Sequence, residues 1–240
     1  MRRPPKNGIL IPDSNILLID GQSLFKTSYH GAKNQYNFKG EHIGGIYAFL
    51  TIIRKLLIDG HYHKVFVFWD GNFSGKLRYH IYSQYKANRG KDYINGTKPE
   101  DESELLQRFK IQGYLEDLSI RQICDEVVES DDFIAYFCLN KNKNEKVTIC
   151  TSDRDLCQLI DTDIRVYLLD KKTYITLDNY SEYFKHFKDN LVLIKILTGD
   201  SSDNIKGIKG LKIKTLSLLF PTLAEKKVSL TDIISMSETI

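Results

Sequence analysis

Apolar residues in this chain fall into two kinds of stretch, short unbroken runs and longer periodic ones, and the two alternate. Residues 15–20 (NILLID) form a run closed by Asp20 and followed by Gly21. A run with no polar alternation predicts a strand covered on both faces. Ile43, Tyr47, Leu50, Ile53 and Leu57 then stand at helical spacing, which predicts a helix over 43–58. Residues 65–71 (VFVFWDG) repeat the first pattern, again ending in Asp-Gly. Strand, helix, strand is the signature of a parallel βαβ unit. If the two strands are neighbours, Asp20 and Asp70 end close together.

The alternation continues. A helix is expected over 103–118 and a weaker strand within 120–128. Glu129-Ser130-Asp131-Asp132 opens a helix carried by Phe133, Ile134, Phe137 and Cys138. The apolar run 147–150 stops at Thr151-Ser152. Asp153 and Asp155 follow, and Leu156, Leu159 and Ile160 predict a helix after them. Strands are expected at 164–169 and 174–176, and helical patterns over 178–198. Gly207 and Gly210 predict a tight turn joining two helices, the second ended by Pro221, with a last helix near 229–238. The pattern as a whole describes an α/β fold with a mainly parallel sheet flanked by helices.

Composition narrows this little. The chain has 240 residues, 42% hydrophobic and 27% charged, which suits one large α/β domain or one domain with a small appendage. No apolar run approaches the roughly 18 residues of a membrane helix, so no membrane role is expected. The start (MRRPPKNG) has no secretory pattern and residues 1–14 read as a flexible arm. Cys124, Cys138, Cys150 and Cys157 lie in or beside apolar patterns without metal-ligand spacing, as buried reduced thiols of a cytoplasmic protein do.

The net charge of +3 names no partner, and its distribution says more. Lys76, Arg78, Lys86, Arg89, Lys91 and Lys98 stand against the single acid Asp92, interleaved with Tyr79, Tyr82 and Tyr85. Basic side chains neutralise phosphates and aromatic faces stack on bases. The same stretch also fits a solvated amphipathic helix with its tyrosines packed inward. Residues 90–104 read as a flexible connection. Lys206, Lys209, Lys212 and Lys214 surround the glycine turn, whose backbone amides at Gly207 and Gly210 can hold a phosphate.

Candidate chemistry lies in the acids. Asp20, Asp70, Glu129, Asp131, Asp132, Asp153, Asp155, Asp200 and Asp203 all sit where an apolar run ends or a helix begins. Any one of them alone reads as a helix cap. Together they would form an anionic pocket that repels itself and calls for cations. Oxygen donors without clustered histidine or cysteine favour magnesium, with manganese able to substitute, over zinc. Two such cations about 3.5–4 Å apart suit phosphodiester hydrolysis. Pattern and composition thus point to a metal-dependent nuclease.

The motifs resemble the flap endonuclease and 5′→3′ exonuclease family, of the phage exonuclease or ribonuclease H type, from about residue 16 to 220. Leu17-Leu-Ile-Asp20-Gly and Phe66-Val-Phe-Trp-Asp70-Gly match its first two acidic motifs. Arg78 with Tyr85-Lys86-Ala-Asn-Arg89 matches its basic signature. Glu129-x-Asp131-Asp132, Thr151-Ser-Asp153-x-Asp155 and Thr198-Gly-Asp200-x-x-Asp203 match the rest in order.

The resemblance implies a PIN-like (5′ nuclease) domain over 15–198 with a helical arch at about 73–118, and a C-terminal helix-hairpin-helix region over 199–240. It assigns Asp20, Asp70, Glu129 and Asp131, with Asp132 beside them, to one Mg²⁺. It assigns Asp153, Asp155, Asp200 and Asp203 to a second. It puts Lys86 and Arg89 at the scissile phosphate, and Arg78, Tyr82 and Tyr85 on nucleic acid, with Tyr85 stacking on a base. The hairpin, Lys206 to Lys214, would bind duplex and a monovalent cation, although Lys212 replaces a usual third glycine.

The implied reaction is hydrolysis of 5′ flaps, nicked or gapped duplex DNA, and RNA primers on DNA, leaving 5′-phosphate and 3′-hydroxyl. The implied partners are DNA, an RNA–DNA hybrid, and a single-strand-binding protein or replication machinery. The expected state is a monomer in bacterial or phage-infected cytoplasm. Two other readings share the acids: a PIN-type single-strand ribonuclease, which has no need of the basic signature, and a non-catalytic structure-specific DNA-binding protein.

Overall fold

The computed structural model describes residues 14–89 and 101–238. Strand β1 (Ser14–Asp20) leads into helices α1 (Gly21–Gly31) and α2 (Gly44–Gly60) and then β2 (Lys64–Asp70). Next come the short α3 (Lys76–Ile81), α4 (Glu102–Asp117), β3 (Arg121–Asp125), α5 (Ser130–Asn140) and β4 (Glu145–Thr151). Strands β5 (Ile164–Leu168) and β6 (Thr173–Ile175) complete a six-stranded sheet of order β3-β2-β1-β4-β5-β6. All its pairings are parallel except β5 with β6. Among the described residues no helix is long and apolar enough to cross a membrane.

β1 is the centre of this sheet, and its unbroken apolar run has a direct cause. Ile16 and Leu18 pack with Ile134, Ile149 and Val166 on one face, while Leu17 and Ile19 pack with Phe25, Phe49 and Ile111 on the other. All four residues of the run are fully buried, each stabilising the fold by roughly 1.5–3 kcal/mol. The Asp-Gly pairs also have a physical reason. A Cβ on Gly21 would fall 2.8 Å from the Phe68 carbonyl oxygen, and one on Gly71 would fall 2.0 Å from that of Asp125. Each glycine therefore lets the chain leave its strand tightly against the neighbouring strand, and this fixes where Asp20 and Asp70 end.

After β6 the chain becomes irregular. Helices α6 (Tyr180–Tyr183) and α7 (Leu191–Thr198) precede a two-residue hairpin, β7 (Gly199–Asp200) with β8 (Ile205–Lys206). Helices α8 (Ile213–Leu219), α9 (Thr222–Glu225) and α10 (Leu230–Ser237) follow. Leu193 and Leu197 of α7 share a separate core with Leu216, Phe220, Leu223 and Ile233.

Several expectations are corrected. Ser14 already belongs to β1, and residues 1–13, the rest of the expected arm, lie outside the described residues, as does 90–100 of the expected connection and arch. The buried face of α2 is Phe49, Ile53 and Leu56, while Tyr47 is 58% exposed. The helix expected after Thr151 is a tighter 3₁₀ helix, Arg154–Leu159, which Asp153 caps through the Asp155 N–H. The expected 178–198 helix is broken between α6 and α7. The glycine turn is entered from β8 rather than from a helix, because Ile205 pairs with Asp200. Of the basic stretch, only residues 76–81 are α-helical among those described.

Candidate active site

Parallel strands place their carboxyl ends on one edge, and β1, β2 and β4 each deliver acids there. The β1–β2 register pairs Asp20 with Phe68, so the strands are neighbours as expected, and Asp70 ends two residues further on. The carboxylates face a cleft of about 740 Å³. Its wall includes Asp20, Asp70, Glu129, Asp131, Asp132, Asp153, Asp155 and Asp203, with Arg78, Lys86, Arg89 and Lys195. The one expected acid not on that wall is Asp200.

The acids form two electrostatic groups. In the first, Asp20 is 5% exposed. It accepts from the Ser23 N–H at 3.0 Å, the Ser130 hydroxyl at 3.3 Å and the Thr151 hydroxyl at 2.8 Å. Burial nonetheless pushes its carboxyl up to about 7, with Asp70 and Asp131 adding repulsion. Asp70 accepts from the Ser130 N–H at 2.7 Å. Burial, then Glu129, likewise raises Asp131 to about 7. Its Oδ1 is enclosed without a hydrogen-bond partner, Arg78 standing 3.6 Å away. Glu129 is also raised by burial, against the opposing pull of Lys86 and Arg78.

In the second group, burial raises Asp153, while Asp155 and Asp203 repel it. Asp155 and Asp200 share Lys195, which donates to Asp155 and, at 2.6 Å, to Asp200. Burial opposes ionisation of Asp200, but Lys195 and Ser202 hold it down at about 2.

Cations are interleaved with these acids. Arg78 makes a bidentate pair with Asp132, both bonds 3.0 Å, and reaches Glu129 at 3.2 Å. Its charge is thus engaged by the cleft. Tyr85 is 6% exposed and donates its hydroxyl to Glu129 at 3.1 Å. Its side chain is largely buried on the cleft wall, with the hydroxyl held against that carboxylate. Lys86 lies 3.7 Å from Glu129 and 4.6 Å from the Tyr85 ring centre.

Residues 82–89 are strapped to the 201–204 loop. The Lys86 N–H donates to the Asp203 carbonyl, Arg89 to the Ser202 carbonyl and the Asp203 carboxylate, and Tyr82 to the Asn204 carbonyl. Lys86 takes a left-handed backbone, φ 55°, at this strap. Lys206, Lys209, Lys212 and Lys214 are exposed around the turn, away from the cleft wall, and Gly207 lies against the Thr198–Gly199 backbone. Gly210 has a positive φ of 83°.

Among the described residues no three acids are drawn together as tightly as a metal ion would hold them. Arg78 and Lys195 stand between them instead. The donor set still fits hard cations. It is carboxylate only, burial disfavours the charge on Asp20, Glu129, Asp131 and Asp153, and Asp131 has a buried oxygen without a hydrogen-bond partner.

Sequence reading missed Lys195, Thr151 and the cleft-facing side of α1, which carries Gln22, Ser23 and Lys26. A lysine inside the otherwise apolar LVLIKILT helix, one turn before an acidic loop, was the available signal for Lys195. Thr151 looked like a strand end, and residues 22–42 carried no motif.

An acidic cleft at the carboxyl edge of a parallel sheet defines an α/β domain of the PIN-like class. The chain belongs to the 5′–3′ exonuclease family: the model for that family's N-terminal, resolvase-like domain matches residues 15–187. A 5′–3′ exonuclease of Mycoplasmopsis pulmonis (strain UAB CTIP) is 30% identical over 197 residues, 81% of this chain and 62% of that protein. One of Mycoplasma pneumoniae is 33% identical over 209 residues, 82% of this chain and 68% of that protein. The thermostable DNA polymerase I of Thermus aquaticus is 28% identical over 207 residues, 85% of this chain but 23% of the polymerase. The chain thus spans 62% of the first of these relatives' length.

The bacteriophage T5 5′-exonuclease, in a structure with bound zinc ions, shares the fold with a TM-score of 0.67 at 18% identity, over 94% of this chain and 84% of that one. A T5 flap endonuclease complex with DNA and metal ions gives 0.66 at 18% identity, over 92% and 78%.

Proposed function

We propose that this chain is a divalent-cation-dependent 5′ nuclease, hydrolysing phosphodiesters at 5′ flaps, at nicks and gaps in duplex DNA, and in RNA primers on DNA. The products carry 5′-phosphate and 3′-hydroxyl. One observation carries the reading: two groups of carboxylates, among them Asp20, Glu129, Asp131 and Asp153, which burial pushes toward protonation, face a basic segment across one cleft. Family membership and the metal- and DNA-bound T5 structures support it.

Asp20, Asp70, Glu129 and Asp131 would hold one Mg²⁺, which Mn²⁺ can replace. Asp153, Asp155 and Asp203 would hold a second, with Asp200 joined to them through Lys195. Asp132 is taken by Arg78 and serves to place that guanidinium. Cations bound there supply an activated water and neutralise charge developing on the phosphodiester.

The chain's own residues do the rest. Lys86 and Arg89, on the cleft wall, stabilise charge on the scissile phosphate. Tyr85 orients Glu129. Tyr82 and the exposed lysines 206, 209, 212 and 214 track the nucleic-acid backbone away from the cut, and the Gly207–Gly210 turn holds a phosphate and a monovalent cation. On the same reading the protein works as a cytoplasmic monomer beside a single-strand-binding protein or replication machinery.

The test is a matched set of 5′-labelled substrates in Mg²⁺: a 5′ flap, a nicked duplex, an RNA primer on DNA, a 3′ flap and single-stranded RNA. Cleavage of the first three near the junction, with the 3′ flap spared, is expected. Cutting of single-stranded RNA with the flap spared would replace the proposal with a PIN-type ribonuclease. Tight binding with no cutting would replace it with a structure-specific DNA-binding protein.

A further inference from the structure

Beneath the carboxylates lie two buried hydroxyls, those of Ser130 and Thr151. The β1–β4 register pairs Ile19 with Cys150, and this sets Asp20 beside Thr151 at the next position. Thr151 is fully buried. Its hydroxyl donates to Asp20 Oδ2 at 2.8 Å and accepts from the Asp153 N–H at 2.9 Å. A hydroxyl has one proton and two lone pairs. The Asp153 N–H occupies a lone pair, and the proton is left for Asp20. On the other side, Ser130 donates its N–H to Asp70 at 2.7 Å and its hydroxyl to Asp20 at 3.3 Å. The line Asp70–Ser130–Asp20–Thr151–Asp153 thus crosses from the start of α5, through the end of β1, to the end of β4.

We propose that Thr151 is a positioning residue that sets the spacing between the two carboxylate groups by holding Asp20 and Asp153 from below. The proposal deepens the cation-dependent reading and rests on it. Asp153 then fixes the next turn, because its Oδ1 accepts from the Asp155 N–H at 2.8 Å. One hydroxyl therefore governs the place of an acid in the first group and the backbone that carries two acids of the second. Being buried, it cannot be replaced by water without opening the β1–β4 junction. Ser130 is expected to matter less. Its contact with Asp70 comes from the backbone and survives loss of the side chain, and its hydroxyl bond to Asp20 is the longer one.

The experiment compares wild type with Thr151→Val, Thr151→Ser and Ser130→Ala. Binding of Mg²⁺ and of Mn²⁺ to the DNA-free protein is measured by calorimetry, and melting is followed in chelator. Thr151→Val keeps the shape and loses both bonds, and should bind divalent cations at least about tenfold more weakly. Thr151→Ser should restore affinity to within about threefold, and Ser130→Ala should stay within the same range. Val binding as tightly as wild type, or Ser failing as badly as Val, overturns the proposal. Should the Val chain not fold, Thr151→Ala beside Thr151→Ser isolates the same oxygen, and equal affinity in that pair overturns it. Wild type that binds neither cation overturns the cation reading and this proposal together. Wild type that binds, with Val unchanged, overturns this proposal alone.

Discussion

Replacing Asp20 with asparagine should make the metal-free protein more stable. Burial holds the Asp20 carboxyl near 7 against an ordinary 3.8, even with Ser23 and Thr151 donating to it. Below about pH 4 the group is protonated in the folded and unfolded chains alike and imposes no penalty. Between about pH 4 and 7 the unfolded chain releases the proton while the folded one keeps it, so stability falls as pH rises. Above about pH 7 the folded carboxyl is ionised, at a cost of up to about 4 kcal/mol. Asparagine keeps the shape: its carbonyl can accept from Ser23, and its amide can donate to the Thr151 oxygen. Water entry relieves part of the strain in wild type, so a gain of roughly 2 kcal/mol is expected, or about 4–8 °C in Tm for a chain of this size. The assay is thermal melting in chelator near pH 5 and near pH 8, for both proteins. The gain should be larger at the higher pH, and added Mg²⁺ should raise the Tm of wild type more than that of the variant. A variant that melts no higher than wild type near pH 8 would refute the idea that burial, with Asp70 and Asp131 beside it, penalises the Asp20 charge.

Three further outcomes follow from the same geometry. Lys195→Met should lower stability by about 1 kcal/mol after allowance for solvent screening. The loss should shrink as pH falls from about 4 toward 2, where Asp200 is protonated, and a pH-independent loss in melting curves would contradict the pairing. Lys86→Ala should slow single-turnover cleavage on the order of 100-fold while flap-DNA affinity changes far less; equal losses would show that Lys86 only holds DNA. Gly71→Ala places a methyl 2.0 Å from the Asp125 carbonyl oxygen. It should cost about 1–3 kcal/mol in denaturant unfolding and reduce divalent binding through Asp70, whereas wild-type unfolding would show that the strand exit is not tight.

The strands were legible because a doubly covered strand has only one economical sequence, an unbroken apolar run, and Ile16–Ile19 is such a run. The acids at strand ends were legible for the related reason that a parallel sheet sends them all to one edge. Helix faces were less so. Ile53 of the expected α2 stripe is buried and Leu50 and Leu57 pack beside it, yet Tyr47 is exposed and Phe49 and Leu56 are buried, because α1 and α4 decide which stripe is covered. The roles of Tyr85 and Arg78 could not be read from local pattern. An aromatic among basic residues carries no sign that its hydroxyl will meet Glu129, just before α5. Thr151 and Lys195 act through partners far away in sequence or across a turn, and a single hydroxyl or lysine carries no periodic signal.

On the proposed function, the cleft carboxylates hold the divalent cations that drive cutting. Its most direct test is single-turnover cleavage of a 5′-flap duplex labelled on the flap strand, in Mg²⁺ and in chelator, with wild type and Asp153→Asn measured side by side for cleavage and for binding. Wild type should give Mg²⁺-dependent products near the flap junction, and the variant should lose those products while DNA binding persists. Cleavage that survives in chelator, or a variant that cuts as fast as wild type, would contradict it.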